Sequence, residues 1–119
     1  MLELNQEIRQ LAEEFAGCQK ILTAFGDENR QHLILEMMKI EECNGVRVGT
    51  ITEKTHLSRP AISHHLQILK AAGIIKMRRE GTKNYYYFDE NTEAMNQLLH
   101  MLTHAKAIME QLPDRSNNK

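Results

Sequence analysis

The apolar positions near both ends of the chain recur with the spacing of a helix face. Over residues 1–24 they follow alternating steps of four and three, and over 91–112 steps of three and four. Pro113 stops the second pattern, and a frayed polar tail is expected over 113–119. The sequence therefore predicts a long helix at each end. The apolar faces consist of Leu4, Ile8, Leu11, Phe15, Cys18 and Leu22 in the first helix and Met95, Leu98, Leu102, Ala105, Met109 and Leu112 in the second.

Two further helices are predicted after the first one. Gly26 interrupts the first pattern, and Asp27 is a good N-cap for a helix whose apolar residues run from Leu33 to Ile40. The segment EECNG (41–45) indicates a helix end and a turn, because Gly45 is free to take positive φ. Residues 49–56, GTITEKTH, allow a short helix.

The segment SRPAISHHLQIL (58–69) predicts an amphipathic helix from about residue 59 to residue 72. Ser58 is a favourable N-cap, Pro60 lies in the first turn, where no N–H is needed, and Gly73 ends the helix. At about 100° per residue, one narrow sector is predicted to be buried. It consists of Ile62, Leu66, Leu69 and Gly73.

A β-hairpin is predicted next, because IIKMRR (74–79) and NYYYF (84–88) are rich in β-branched and aromatic residues and flank a turn that contains Gly81. A short helix, a tight turn, a second helix and a hairpin form a winged helix-turn-helix. The predicted fold is mainly α with a small β-hairpin. It is a single domain over 1–119, with the helix-turn-helix at 49–72 and the wing at 74–88.

The terminal helices, 1–24 and 91–112, keep narrow apolar faces that one three-helix core is too small to cover. We therefore predict that they meet a second copy of the chain and form a homodimer. The predicted interface consists of Leu4, Ile8, Leu11, Phe15, Met95, Leu98, Leu102, Ala105 and Met109.

Charge is distributed unevenly along the chain, although its net value is only -1. Residues 1–45 contain four Lys/Arg and nine Asp/Glu, whereas residues 59–88 contain six Lys/Arg and one acid, Glu80. A neutral protein with one basic third can still present a basic surface to a polyanion.

The polar face of the helix over 59–72 carries no carboxylate. A carboxylate there would repel the phosphates of a nucleic acid. Its Ser, His, Gln and Arg side chains are donors and acceptors that can reach base edges in a major groove. Beside it, the cations of the wing can contact phosphate or enter a minor groove, and a tyrosine there can offer its hydroxyl to a phosphate. The residues predicted to contact DNA are Ser58, Arg59, Ser63, His64, Gln67, Lys70, Arg78, Arg79, Lys83 and Tyr85.

Composition and motifs limit the other classes of protein to which the chain could belong. The chain has 119 residues, of which 41% are hydrophobic and 26% charged, as expected of a soluble globular domain. No apolar run approaches the roughly 20 residues that cross a bilayer, and the acidic N-terminus is unlike a signal peptide, so a cytoplasmic location is expected. There is no nucleophile elbow or phosphate-binding glycine loop, so we expect neither an enzyme nor a bound cofactor.

Three segments resemble the arsenic-repressor (ArsR/SmtB) family of winged-helix repressors. They are LTAFGDENRQHLILEMM (22–38), LSRPAISHHLQILKAAGII (57–75) and REGTKNYYYF (79–88). The resemblance implies a homodimer built on the first and last helices that binds an inverted repeat of double-stranded DNA and represses until an inducer loosens it. It also implies that Ser63, His64 and Gln67 are contacts of the recognition helix, and that Arg79 and Lys83 are contacts of the wing.

The chain departs from this family at its sensing sites. The thiolate sensor of the family has a Cys-x-Cys pair where this chain has VRVGTI (46–51). Of the last-helix zinc ligands only Asp89 is matched, since Asn91, Leu102 and Ala105 stand at the other positions. Neither familiar metal site is therefore expected, and the resemblance leaves the inducer open.

Other candidate sensing groups are His100 and His104, one helical turn apart, and the two cysteines. The histidines face away from the apolar face of their helix and indicate a solvated polar face, with metal binding as the weaker alternative. Cys18 indicates a small buried hydrophobe and Cys43 an exposed thiol; a redox pair between them is the alternative. A second interpretation of the whole chain is a winged helix that binds a protein partner instead of DNA.

Overall fold

The computed structural model describes residues 2–40, 45–89, 92–114 and 116, with only the backbone for Leu2. In this part of the chain, helices α1 to α5 precede a hairpin of strands β1 and β2, and α6 follows it. Their bounds are α1 Leu2–Gly17, α2 Gln19–Phe25, α3 Glu28–Lys39, α4 Val48–Thr55, α5 Arg59–Ala71, β1 Ile75–Glu80, β2 Lys83–Phe88 and α6 Glu93–Gln111. The prediction of a mainly helical winged helix-turn-helix is confirmed. Within these residues, none of the helices has the length and apolar character of a membrane span.

The first predicted helix is two helices. α1 ends at Gly17, and the N–H of Cys18 donates to the carbonyl of Phe15 at 3.0 Å, which closes a turn before α2 begins. Glycine has the weakest helix propensity of any residue except proline, so the break falls where the helix is least stable. The turn places the Cys18 side chain in the core with 2% exposed. The predicted helix over 1–24 was therefore wrong in its continuity, whereas the buried Cys18 is confirmed.

The core is centred on α5. Ile62, Leu66 and Leu69 are fully buried, as the periodicity predicted, whereas Gly73 of the same predicted sector is only half-buried. Ile51 of α4 and Leu33 of α3 are fully buried as well. A fully buried aliphatic side chain contributes about 1.5–3 kcal/mol relative to an exposed one. The buried face of α5 therefore fixes the orientation of its outer face.

Side-chain caps begin three of the helices. Asp27 accepts a hydrogen bond from the N–H of Arg30 at 3.0 Å, and Ser58 accepts one from the N–H of Ala61 at 3.2 Å, as the sequence predicted. The N–H donors around Asp27, that of Arg30 first, hold the pKa of this carboxyl below its ordinary value. Thr92 caps α6 in the same way.

A buried arginine joins α2 to α3. Arg30 is only 8% exposed, and its guanidinium donates to the carbonyls of Ala24 at 2.8 Å and Thr23 at 3.2 Å. These carbonyls lie near the end of α2, where the last carbonyls of a helix lack their usual donors; that of Thr23 also accepts from the N–H of Gly26 at 3.1 Å. Arg30 therefore satisfies the end of one helix from the first turn of the next.

The hairpin is antiparallel and closes through Gly81, which has a φ of 64°. Glu80 pairs with Lys83, so the loop has two residues with glycine at its first position, a favoured hairpin turn. A short bridge adds to the sheet, since Val46 and Tyr86 exchange two backbone hydrogen bonds of 2.8 Å. Tyr86 also packs against the core.

The terminal helices pack against each other within one chain, which divides the predicted dimer interface. Leu11, Met95 and Leu98 are partly buried against the chain's own core. Met101 and Ile108, which were not in the predicted set, are the buried residues of α6. By contrast Ile8, Phe15, Leu102 and Met109 are between 41% and 68% exposed. α1 and α6 therefore cover part of the apolar surface that was assigned to a second copy, and the dimer interface itself stays a prediction.

Candidate DNA interface

The outer face of α5 is exposed and free of carboxylates. Ser63, His64 and Gln67 are exposed, as are Arg59 and Lys70 on the flank of this face. Because Ile62, Leu66 and Leu69 are buried on the opposite side, these polar groups point away from the core. The geometry brings the predicted recognition residues together on one accessible helix surface.

His65 does not belong to this face. Its side chain is partly buried, and its Nδ1 has no hydrogen-bond partner among the described residues. Burial lowers the pKa of His65, while Asp27 opposes that shift and Arg30 adds to it. His65 is therefore a partly buried ring at the edge of the core and is not part of the outer face.

A tight turn fixes α4 against α5. His56 has a φ of 63°, in the left-handed region that few residues other than glycine adopt, and it ends α4. Thr55 is buried, and its hydroxyl accepts a hydrogen bond from the N–H of Leu57 at 3.3 Å. The two helices of the helix-turn-helix are thus joined by residues 56–58.

The wing cations differ in the ion pairs and hydrogen bonds that their side chains form within the chain. Arg78 forms an ion pair of 2.6 Å with Glu80, and its guanidinium lies 4.9 Å from the centre of the Tyr85 ring. The Nε of Arg79 donates to the carbonyl of Gly81 at 3.0 Å. For Lys83, no side-chain partner occurs within the described ranges.

Lys76, at the start of the wing, pairs with Asp89 at 2.6 Å. This contact raises the pKa of Lys76 above its ordinary value, mainly through the hydrogen bond that Lys76 donates to Asp89. Asp89 is the residue that matches a last-helix zinc ligand of the ArsR family, and here its carboxylate is in contact with a cation.

A polar cavity of about 380 Å³ lies between the start of α4, the start of α5 and the hairpin loop. Residues predicted to contact DNA from two separate elements, Arg59 and Lys83, both line it. Arg47, which the sequence analysis did not single out, lies in the same lining. Sequence spacing carries no signal for this meeting, because it depends on how the wing folds back beside the helix-turn-helix.

The histidines of α6 contact α1. His104 Nδ1 lies 2.8 Å from Glu14 Oε1, and His100 Nε2 lies 3.2 Å from Glu14 Oε2. His104 Nε2 is also 3.6 Å from Glu7 Oε1. The prediction of a solvated polar face was therefore wrong for His104, whose side chain is only 16% exposed. Sequence alone could not place Glu14 opposite it, since the two residues are 90 positions apart.

Hydrogen bonding and charge shift the pKa values of this pair in opposite directions. The hydrogen bond to Glu14 raises the pKa of His104, and the same contact lowers the pKa of Glu14. Across the residues that the structure describes, no group of three or more His, Cys, Asp or Glu side chains has a geometry suited to a metal ion. Cys43, the partner of the alternative redox pair, lies outside the described residues.

Comparisons with known proteins agree with this geometry. Residues 29–77, from the first turn of α3 into β1, match the family described as "Bacterial regulatory protein, arsR family". The chain is 43% identical over 76 residues to an HTH-type transcriptional regulator of Methanocaldococcus jannaschii, a match that covers 63% of this chain and 81% of that relative. It is 35% identical over 75 residues to the transcriptional repressor SdpR of Bacillus subtilis, covering 63% and 77%.

The fold has a counterpart among solved structures. An ArsR-like transcriptional regulator from Rhodococcus sp. RHA1 superposes with a TM-score of 0.66 at 21% identity, over 82% of this chain and 86% of that one. At an identity this low, the similarity shows the fold alone. The curated relatives are similar in sequence as well. The chain belongs to the ArsR family of DNA-binding winged helix-turn-helix transcription regulators.

Proposed function

We propose that this protein is a dimeric repressor that binds an inverted repeat of double-stranded DNA and reads its bases with the outer face of α5. The observation that carries the proposal is the set of exposed side chains on that face. Ser63, His64 and Gln67 are short or planar hydrogen-bonding groups, and such groups read base edges in a major groove. The buried opposite side of α5 holds this face in a fixed orientation.

The wing and the flanks of α5 supply the contacts to phosphate. Arg59, Lys70 and Lys83 are exposed and have no ion pair in the described part of the chain. Such contacts fix the position of a protein on the duplex but do not distinguish one base sequence from another. Arg78 contributes less to this function, because Glu80 already neutralises it and the Tyr85 ring lies beside it.

A second copy of the chain covers the exposed apolar residues of α1 and α6. Ile8 and Phe15 in α1, and Leu99, Leu102 and Met109 in α6, are all at least 41% exposed. Large apolar side chains gathered on two adjacent helices typically mark an interface. A two-fold dimer would present its two copies of α5 to the two half-sites of an inverted repeat, which in such regulators lie about one helical turn of DNA apart.

Sensing in this protein uses neither of the familiar metal sites of the family. The segment 46–51 has no cysteine, and Asp89 is paired with Lys76. Burial of Cys18 speaks against an oxidant-exposed thiol at that position. A redox or metal response through Cys18 and Cys43 or through His100 and His104 is an alternative within this function.

Selection of genomic DNA fragments by the purified protein tests the proposal. At near-physiological salt, the bound fragments should be enriched in one inverted repeat whose half-sites lie about ten base pairs apart. Binding without sequence preference would contradict the proposal and favour a winged helix that binds a protein partner. Repeating the selection with added divalent metals and with a thiol oxidant identifies an inducer, since the enrichment should be lost only with the compound that is sensed.

A further inference from the structure

A second cavity, of about 360 Å³, lies between the end of α3 and strand β2. Met37 and Met38 of the last turn of α3 form one part of its lining, and residues 86–88 of β2 form another. None of the lining residues that the structure describes has a charged side chain. A cavity of this size and character is suited to an uncharged small molecule.

Aromatic side chains are concentrated at this cavity. The chain contains three Tyr, three Phe and no Trp. Three of these six residues, Tyr86, Tyr87 and Phe88, line the cavity. Tyr86 and Phe88 lie on the same face of β2, because alternate residues of a strand share a face. Since aromatic rings pack favourably against other rings in offset or edge-to-face arrangements, this wall favours a planar aromatic ligand.

Two thioether side chains stand on the α3 side of the cavity. Met37 is buried, whereas Met38 is 64% exposed, as is 40% of Phe88 on β2. Methionine is flexible and its sulfur is polarizable, so it adapts to the shape of a ligand and makes favourable contacts with ring edges. A ligand between Met38 and Phe88 would remove apolar surface of both from water.

The cavity borders the segment that leads into the helix-turn-helix. Val46 lines it and exchanges two backbone hydrogen bonds of 2.8 Å with Tyr86, and α4 begins at Val48. Gly45 has a φ of 106°, and a Cβ there would lie 3.0 Å from the Cβ of Tyr85, so the chain passes close to β2 at this point. A movement of β2 away from α3 would therefore change the position of the wing relative to α4.

We propose that the cavity between α3 and β2 binds a planar, uncharged aromatic molecule, and that this molecule is the inducer that releases the protein from DNA. The second part rests on the proposed function. A ligand shifts an equilibrium only by its different affinities for two states. The inducer therefore binds more tightly when β2 stands further from α3 than it does on DNA, and it holds the wing away from its place on the duplex.

A titration with indole tests the site on the full chain without DNA. Indole is planar and uncharged and has one N–H donor. In the wild type, the NMR signals of the Met37 methyl group and of the Tyr87 ring should shift saturably. Met38→Lys and Phe88→Lys each place a charge in the lining and should abolish these shifts. Circular dichroism identifies a variant that fails to fold, and two independent variants keep the test decisive.

Leu35→Lys is the matched control for Met38→Lys. Leu35 is an exposed apolar residue of the same helix, 50% exposed, and it does not line the cavity. The substitution adds the same charge to α3, so a general effect of charge would appear in both variants. The Leu35→Lys protein should bind indole as the wild type does.

DNA binding then tests the role of the ligand. Saturating indole should weaken binding of the wild type to the selected inverted repeat by about fivefold or more, the usual size of an allosteric coupling. The same duplex should weaken indole binding by the same factor, because the coupling of two ligands is reciprocal. Indole should not change the DNA affinity of Met38→Lys, and Leu35→Lys should respond as the wild type does.

The outcomes separate this site from the proposed function. Indole shifts without weaker DNA binding would support the site and overturn its role in induction. Indole shifts in a protein that has no DNA sequence preference would support the site while the proposed function fails. The absence of saturable shifts in the wild type would overturn the site itself. If Met38→Lys sedimented as a monomer and Leu35→Lys as a dimer, a second copy of the chain would occupy this face, and the ligand proposal would be overturned.

Discussion

His104 Nδ1 lies 2.8 Å from Oε1 of Glu14, and this contact joins the last helix to the first. Both side chains are only 16% exposed, so the pair is partly screened from solvent. The pKa of His104 is raised, first of all by its hydrogen bond to Glu14, and the pKa of Glu14 is lowered by the same contact. We therefore expect the packing of α1 on α6 to depend on pH.

The sign of that dependence follows from the two shifts. Because the pKa of His104 is raised on folding, its contribution to stability is fully present below its unfolded value of about 6.5 and is lost as the pH rises through the folded value. Because the pKa of Glu14 is lowered, its contribution is present above about 4.3 and is lost as the pH falls further. The pair is thus most stabilising between about pH 4.3 and 6.5.

Thermal unfolding at pH 5.5 and at pH 8.5 checks this. The fall in Tm between the two pH values should be larger for the wild type than for His104→Gln, which cannot become charged. His32→Gln is the matched control, because His32 is an exposed histidine of α3. An equal fall in Tm for the wild type and His104→Gln would mean that the contact does not contribute to stability.

Replacement of glycine by alanine should change the free energy of unfolding in opposite directions at two positions. Gly73 has a φ of 82°, and a Cβ there would lie 2.8 Å from the Cβ of Ala94, so Gly73→Ala should lower the free energy of unfolding by about 1–3 kcal/mol. At Gly17 a Cβ meets nothing within 4 Å, so Gly17→Ala should be neutral or raise it by about 0.5 kcal/mol. Urea titrations of both variants measure this difference. Equal effects would show that the approach of Gly73 to α6 is not close.

Substitutions in the wing should affect the salt dependence of DNA binding more where the cation has no ion pair within the chain than where it has one. Arg79→Ala and Lys83→Ala should each lower the magnitude of the salt slope of DNA binding by about 1 and leave sequence preference unchanged. Arg78→Ala should have a smaller effect, because Glu80 pairs with it at 2.6 Å. Affinities measured at several salt concentrations give the slopes. A larger effect at Arg78 than at Lys83 would contradict this assignment of the wing contacts.

Leu102→Glu should convert the dimer into a monomer. Leu102 is 53% exposed on α6, and the substitution places like charges in the proposed interface. Leu35→Glu is the control, because Leu35 is 50% exposed on α3, outside the terminal helices. Sedimentation should find a dimer for the wild type and for Leu35→Glu. A dimeric Leu102→Glu variant would place the interface elsewhere.

The features that the sequence predicted correctly depend on local periodicity. The buried sector of α5, the Ser58 cap and the hairpin turn at Gly81 each follow from neighbouring residues. The features that it missed depend on contacts between distant segments. The bridge of Val46 to Tyr86 needs two segments 40 positions apart, and the partners of Arg30 and His104 appear only when the helices are placed.

The same distinction applies to the candidate site. The outer face of α5 could be predicted because a helix repeats every 3.6 residues. The cavity that joins Arg47 to Arg59 and Lys83 could not, because its walls come from three segments. The dimer interface on α1 and α6 stays a prediction, since helix spacing identifies an apolar face but not the neighbour that covers it.

Base recognition by α5 is tested most directly with the selected duplex and one with scrambled half-sites. Gln67→Ala should weaken binding to the selected duplex by about 1–3 kcal/mol and leave binding to the scrambled duplex unchanged. Gln19→Ala removes an exposed glutamine from α2 and should change neither affinity. If Gln67→Ala kept the full preference for the selected duplex, the outer face of α5 would not read DNA bases through Gln67, and the central claim would be contradicted.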